Sequence, residues 1–112
     1  MMFGPGTTSP PQTPEVKSLY HVHTLCGACR KYALDHDKTF PASLDDLFPT
    51  YLQDRAILTS PLNPSEPVGY SYKGALKAPV PNDTVLIEDK FPPLHKRIVA
   101  YADGSAKILL KP

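Results

Sequence analysis

The chain has no tryptophan, only two cysteines and no excess of charge of either sign, with 12 Lys and Arg against 11 Asp and Glu. Each shortage excludes something. A formal net charge of +1 leaves no basic stripe to draw nucleic acid, and no cationic face for an anionic membrane surface. No apolar run approaches the roughly 20 residues of a bilayer-spanning helix. No charged-then-apolar segment reads as a signal peptide. The chain as it stands is therefore expected to be soluble, either cytosolic or an ectodomain parted from its targeting segment. Phosphate-binding Gly-rich loops, G-x-S-x-G elbows and EF-hand loops are all missing from the sequence, and so are internal repeats.

Proline, in contrast, is plentiful: 14 of 112 residues. Each fixes φ and removes a backbone donor, which favours short elements joined by fixed turns over a helical bundle. The length suits one domain with one core. Residues 1–13, MMFGPGTTSPPQT, offer almost nothing to bury and read as a flexible linker or tether. The remaining residues, 14–112, form the expected single domain.

Thr13 and Pro14 mark a helix start, with Glu15 suited to the positive end of the dipole. Apolar residues then recur at Leu19, Val22, Cys26, Cys29 and Ala33, at gaps of three, four, three and four. That is one helix face, flanked by Leu25 and Tyr32. The helix is expected to run to His36–Lys38, before Phe40-Pro41 imposes extended backbone. Ser43 and Asp46 suggest a capping box for a second, short helix with Leu44, Leu47 and Phe48 on its apolar face, stopped by Pro49. Thr59 to Pro67 reads as loop.

The second half is strand-like. Tyr70 and Tyr72 alternate with polar residues, Val85–Ile87 and Ile98–Tyr101 are apolar runs, and Ala106, Ile108 and Leu110 alternate with Lys107. Asp103-Gly104 between the last two predicts a hairpin with a two-residue type I′ turn. The expected fold is α+β: a long N-terminal helix and a short helix on a three- to four-stranded antiparallel sheet.

Four constellations could carry chemistry. Cys26-Gly27-Ala28-Cys29 is a Cys-x-x-Cys motif, the signature of a thiol-disulfide oxidoreductase. A reactive thiol needs a helix N-terminus to lower its pKa, yet both cysteines lie three turns into the helix and on its apolar stripe. Buried thiols acting as small hydrophobes outweigh the redox reading. His21, His23, Cys26 and Cys29 are metal-ligand types within nine residues. On a helix, however, the two histidines point about 160° apart, and His23 and Cys29 stand about 9 Å apart along the axis. One zinc ion would not collect all four. Asp35-His36-Asp37 could be a general base or weak cation site, and is more simply a solvated helix end. Glu88 and Asp89 are neighbours on a strand and point opposite ways, a poor arrangement for paired-carboxylate catalysis. Asp103 is read as turn chemistry rather than as a ligand or acid.

Three segments, in order, carry a family likeness. Leu25 to Pro41 (LCGACRKYALDHDKTFP), Ala42 to Leu52 (ASLDDLFPTYL) and His95 to Leu109 (HKRIVAYADGSAKIL) resemble the globular head of bacterial pseudopilins and related prepilin-type proteins, including the major pseudopilin of type II secretion. There an amphipathic helix leads into a Phe-Pro or Leu-Pro step, a short helix follows, and an Asp-Gly turn joins the last two strands. Where those proteins carry an apolar helix running into the head, this chain has its Pro-rich segment. The calcium ligands of some members' C-terminal loop have no counterpart here. The resemblance implies a pseudopilin-like fold and a non-enzymatic structural or interaction domain of the cell envelope, on its extracytoplasmic side. It implies protein partners (further copies or other envelope components), no cofactor, and a membrane link only through an anchor not present in this sequence. The alternatives left open are a thiol-disulfide oxidoreductase and a small metal-binding module.

Overall fold

The computed structural model describes residues 13–111 except 75, 78 and 79; the tether expected over 1–13 falls, apart from Thr13, outside them. Helix α1 spans Pro14–Asp35. The Thr13 hydroxyl accepts from the Val16 amide at 3.2 Å and Pro14 opens the first turn, as residues with a free acceptor and a preset φ should. At the other end Lys38 N donates to the Ala33 carbonyl at 2.7 Å while Asp37 and Lys38 take positive φ. The chain thereby closes the last turn through a left-handed step made without glycine.

The expected second helix is a single 3₁₀ turn, Leu44–Leu47. Asp46 Oδ2 reaches back to the Ser43 amide at 3.4 Å, half of the capping box, and Leu44 and Leu47 are buried. Pro49 forces extended backbone on Phe48 before an α-helical turn can form. A second 3₁₀ turn, Arg55–Leu58, which the sequence reading did not assign, starts where Asp54 Oδ1 accepts from Ala56 N at 2.9 Å.

The strands are β1 (Tyr70–Tyr72), β2 (Val85–Asp89), β3 (Lys96–Tyr101) and β4 (Ala106–Leu110). They form one antiparallel sheet in the order β1-β2-β3-β4, with a β2–β3 irregularity between Val85 and Ile87. Helix α1 lies across one face. Its Val22, Leu25, Cys26, Cys29 and Ala33 join Ile87, Ile98 and Ala100 of the sheet and Leu47 and Leu58 of the 3₁₀ turns in one core. The ion pair Lys96–Glu15, at 2.8 Å, ties β3 to the first turn of α1. The α+β expectation is met, with four strands and with 3₁₀ turns in place of a short helix.

The β3–β4 connection corrects the expected type I′ turn. The loop has three residues, 102–104: Tyr101 N donates to Ser105 O at 2.8 Å and Gly104 N to Tyr101 O at 2.9 Å. Asp103 has no positive φ; Gly104 does, at 95°. This is the three-residue hairpin whose last residue is left-handed. Register explains the choice. A two-residue turn would set Ala100 against Lys107, bringing Lys107 to the helix side and turning Ala106 and Ile108 away from it. With one more loop residue Ala100 faces Ala106 and Ile98 faces Ile108, so both apolar sets lie on the helix side.

Candidate functional site

The Cys-x-x-Cys motif sits in the middle of α1 against the sheet, and both thiols are free and 0 % exposed. Cys26 Sγ donates to the Tyr101 carbonyl at 3.1 Å. Burial pushes the Cys26 thiol up to about 11, with Arg30 pulling down and Asp103 up. Burial likewise pushes Cys29 up to about 12, reinforced by the charge its neighbour Cys26 would carry. A nucleophilic thiol needs the opposite setting, partly exposed and electropositive.

The two histidines of the metal constellation part as helical geometry demands. His23 is exposed. His21 is half-buried beside the Tyr70 ring, centroids 6.0 Å apart. Its buried Nδ1 has no hydrogen-bond partner among the described residues. Burial holds its pKa below the ordinary value, opposed by the backbone of Thr59 and by Asp89. Among the described residues no three His, Cys, Asp or Glu side chains gather as a metal site. Asp35, His36 and Asp37 do not converge either. His36 stacks on Tyr32 at 3.7 Å and donates from Nδ1 to the Tyr32 carbonyl at 2.8 Å. Asp35 accepts from the Tyr51 hydroxyl at 2.6 Å, and Asp37 is an outlying partner of Lys77 at 4.0 Å. Asp103 Oδ1 accepts from the amide and hydroxyl of Ser105, at 2.9 and 2.6 Å, and these two donors hold its carboxyl below the usual range.

Glu88 and Asp89 separate onto opposite faces. Glu88 takes a two-pronged hydrogen bond from Arg97, both contacts 2.7 Å, on the face away from α1; that bond holds its carboxyl below the usual range. Asp89 turns inward and is 2 % exposed. Its Oδ2 accepts from Ser18 Oγ at 2.5 Å and Ser60 Oγ at 2.7 Å, and its Oδ1 from the Phe91 amide at 2.8 Å. Ser18 has one proton, committed to Asp89, so the Tyr70 hydroxyl donates to Ser18 Oγ across 3.1 Å. This polar node joins α1, β1, β2 and the loop after the second 3₁₀ turn. Gly69 lets the chain pass close enough, because a Cβ there would stand 2.6 Å from Ser60 Cβ. The sequence reading missed the node, though a signal existed. Ser18 lies four residues before Val22 on the helix stripe, and Asp89 lies two beyond Ile87 on the inward strand face.

An open groove of about 930 Å³ lies beside the C-terminal half of α1, with Gly27, Arg30 and Leu34 on one wall and Phe40, Val80 and Ala102 among the others. Among its described lining residues Asp103 is the one carboxylate, and there is no cysteine. The fold and these sites define an α+β domain with one long helix on an antiparallel meander. No family model, curated protein or solved structure matches the chain. No described helix is long and apolar enough to cross a membrane.

Proposed function

We propose that the chain is a non-enzymatic, pseudopilin-like structural and interaction domain of the bacterial cell envelope, working through protein contacts in type II secretion or a pilus-like assembly. The observation that carries the reading is the use made of the sequence's most reactive motif: Cys26 and Cys29 fill the core between α1 and the sheet, with thiol pKa values of about 11 and 12. The polar groups deepest in the molecule, Asp89, Ser18 and Ser60, bond to one another and to backbone. Support for the family comes from the order of the segments Leu25–Pro41, Ala42–Leu52 and His95–Leu109 and from the helix-then-meander arrangement. Fold likeness alone would not fix function, so the test is direct. Cells of the producing bacterium are fractionated and probed with an antibody to the folded domain. The proposal expects the signal in the envelope fraction, accessible to protease from the extracytoplasmic side. A signal confined to the cytosol contradicts it.

A further inference from the structure

The outward face of α1 holds a glycine that no contact among the described residues requires. Gly27 lies in the middle of a 22-residue helix, where glycine is a far poorer helix former than alanine. Nothing among the described residues comes within 4 Å of where its Cβ would stand. Packing among the described residues therefore does not account for the missing side chain. Seven residues before it stands Tyr20, 58 % exposed, and seven after it Leu34, 82 % exposed. Seven residues is two turns less about 20°, so all three share one solvent-facing stripe, with the two large side chains about 10 Å to either side of the glycine. Leu34 also forms part of the wall of the 930 Å³ groove.

We propose that this face is where a second copy of the chain docks, helix against helix, in a two-fold antiparallel pair centred on Gly27. The pattern is self-complementary in the way a two-fold contact requires. In an antiparallel pair each Tyr20 meets the partner's Leu34 at the mouth of its groove, and the glycines let the two backbones approach at the crossing. Charge selects the same orientation. Lys17 and Asp35, both exposed, lie on one flank of the stripe, ten residues before Gly27 and eight after it. A two-fold axis brings Lys17 of each copy opposite Asp35 of the other. It also sets Lys31 against the Thr24 hydroxyl. A parallel pair would bring Arg30 of each copy against Lys31 of the other. The inference does not depend on an envelope location, because the purified chain pairs or does not pair wherever the cell keeps it.

The test is sedimentation equilibrium of the whole chain. A single helix face lies at the small end of interface sizes, below about 1,200 Å², so a weak, reversible dimer is expected, with Kd between about 10 µM and 1 mM. Gly27→Leu is expected to raise the melting temperature, because it adds helix propensity into open space, and to weaken dimerisation at least about tenfold. Lys17→Asp and Asp35→Lys are each expected to weaken the dimer, and the double reversal in one chain to restore it. Tyr51→Phe, which removes the hydrogen bond to Asp35 and keeps the charge, is expected to leave it unchanged. A chain that stays monomeric throughout overturns the proposal, whatever else covers the face. So does a dimer indifferent to Gly27→Leu, or one that the double reversal fails to restore.

Discussion

Asp89 makes the sharpest claim about a single residue. Its two oxygens accept two serine hydroxyls and one amide. An amide side chain in its place keeps one acceptor oxygen but turns an NH₂ toward a donor, either the Phe91 amide or the two hydroxyls. Asp89→Asn is therefore expected to destabilise by about 2–4 kcal/mol, because a buried donor loses its partner. Chemical denaturation of the two proteins measures this; a loss below about 0.5 kcal/mol would show that the node is not a structural fastener. His21, one turn along α1 from Ser18, makes a claim about pH. Its pKa is lowered from 6.5 in the folded chain, so the unfolded chain binds the proton more readily. The stability that this ring contributes is fully present above about pH 6.5 and is lost as pH falls toward its folded pKa. His21→Phe keeps the aromatic packing on Tyr70 and removes the proton. Its melting temperature is expected to vary less than wild type between about pH 6.5 and 5. Equal slopes in that window would assign the pH dependence to other groups.

At the scale of elements, helix α1 was legible because spacing alone selects its buried face, and Thr13 and Pro14 announce its start. The four strands were legible from alternation and short apolar runs. The two 3₁₀ turns were less so: one turn carries too few residues for a period, and Asp54 before Arg55–Leu58 looks like any polar loop residue. The β3–β4 loop shows a local signal overruled from outside. Asp-Gly favours a two-residue turn, but the helix-side burial of Ile98, Ala100 and Ile108 demanded a register that only a third loop residue supplies. Gly104 alone in that loop has positive φ, and a side chain there would also run into Arg30. Gly104→Val is expected to cost about 1–3 kcal/mol, whereas Asp103→Asn, which keeps an acceptor for Ser105, should stay within about 0.5 kcal/mol. Thermal melts of the pair check both; a costly Asp103→Asn with a tolerated Gly104→Val would reverse the assignment of roles. Among the candidate sites, the mid-helix place of Cys26 and Cys29 and the divergence of His21 and His23 followed from helical geometry. The Asp89 node did not, because Ser18, Ser60 and Asp89 are far apart in sequence and only tertiary packing joins them.

For the whole molecule, the two faces of the sheet and the two faces of the helix are used differently. The inner sheet face meets α1. The outer one carries the Glu88–Arg97 pair and Lys107 over the Tyr101 ring, and the helix presents Tyr20 and Leu34 to solvent. On the proposed reading the domain acts by what it touches, so its thiols should be dispensable for function as long as the core stays filled. The most direct measurement is complementation in the producing organism. The gene is deleted, then replaced by wild type or by a Cys26→Val, Cys29→Ala chain shown by circular dichroism to be folded, and protein secretion and pilus-like surface assembly are scored. The account predicts that deletion impairs one of these processes and that the thiol-free chain restores it as fully as wild type. A folded thiol-free chain that restores nothing, or a deletion that leaves both processes intact, would contradict it.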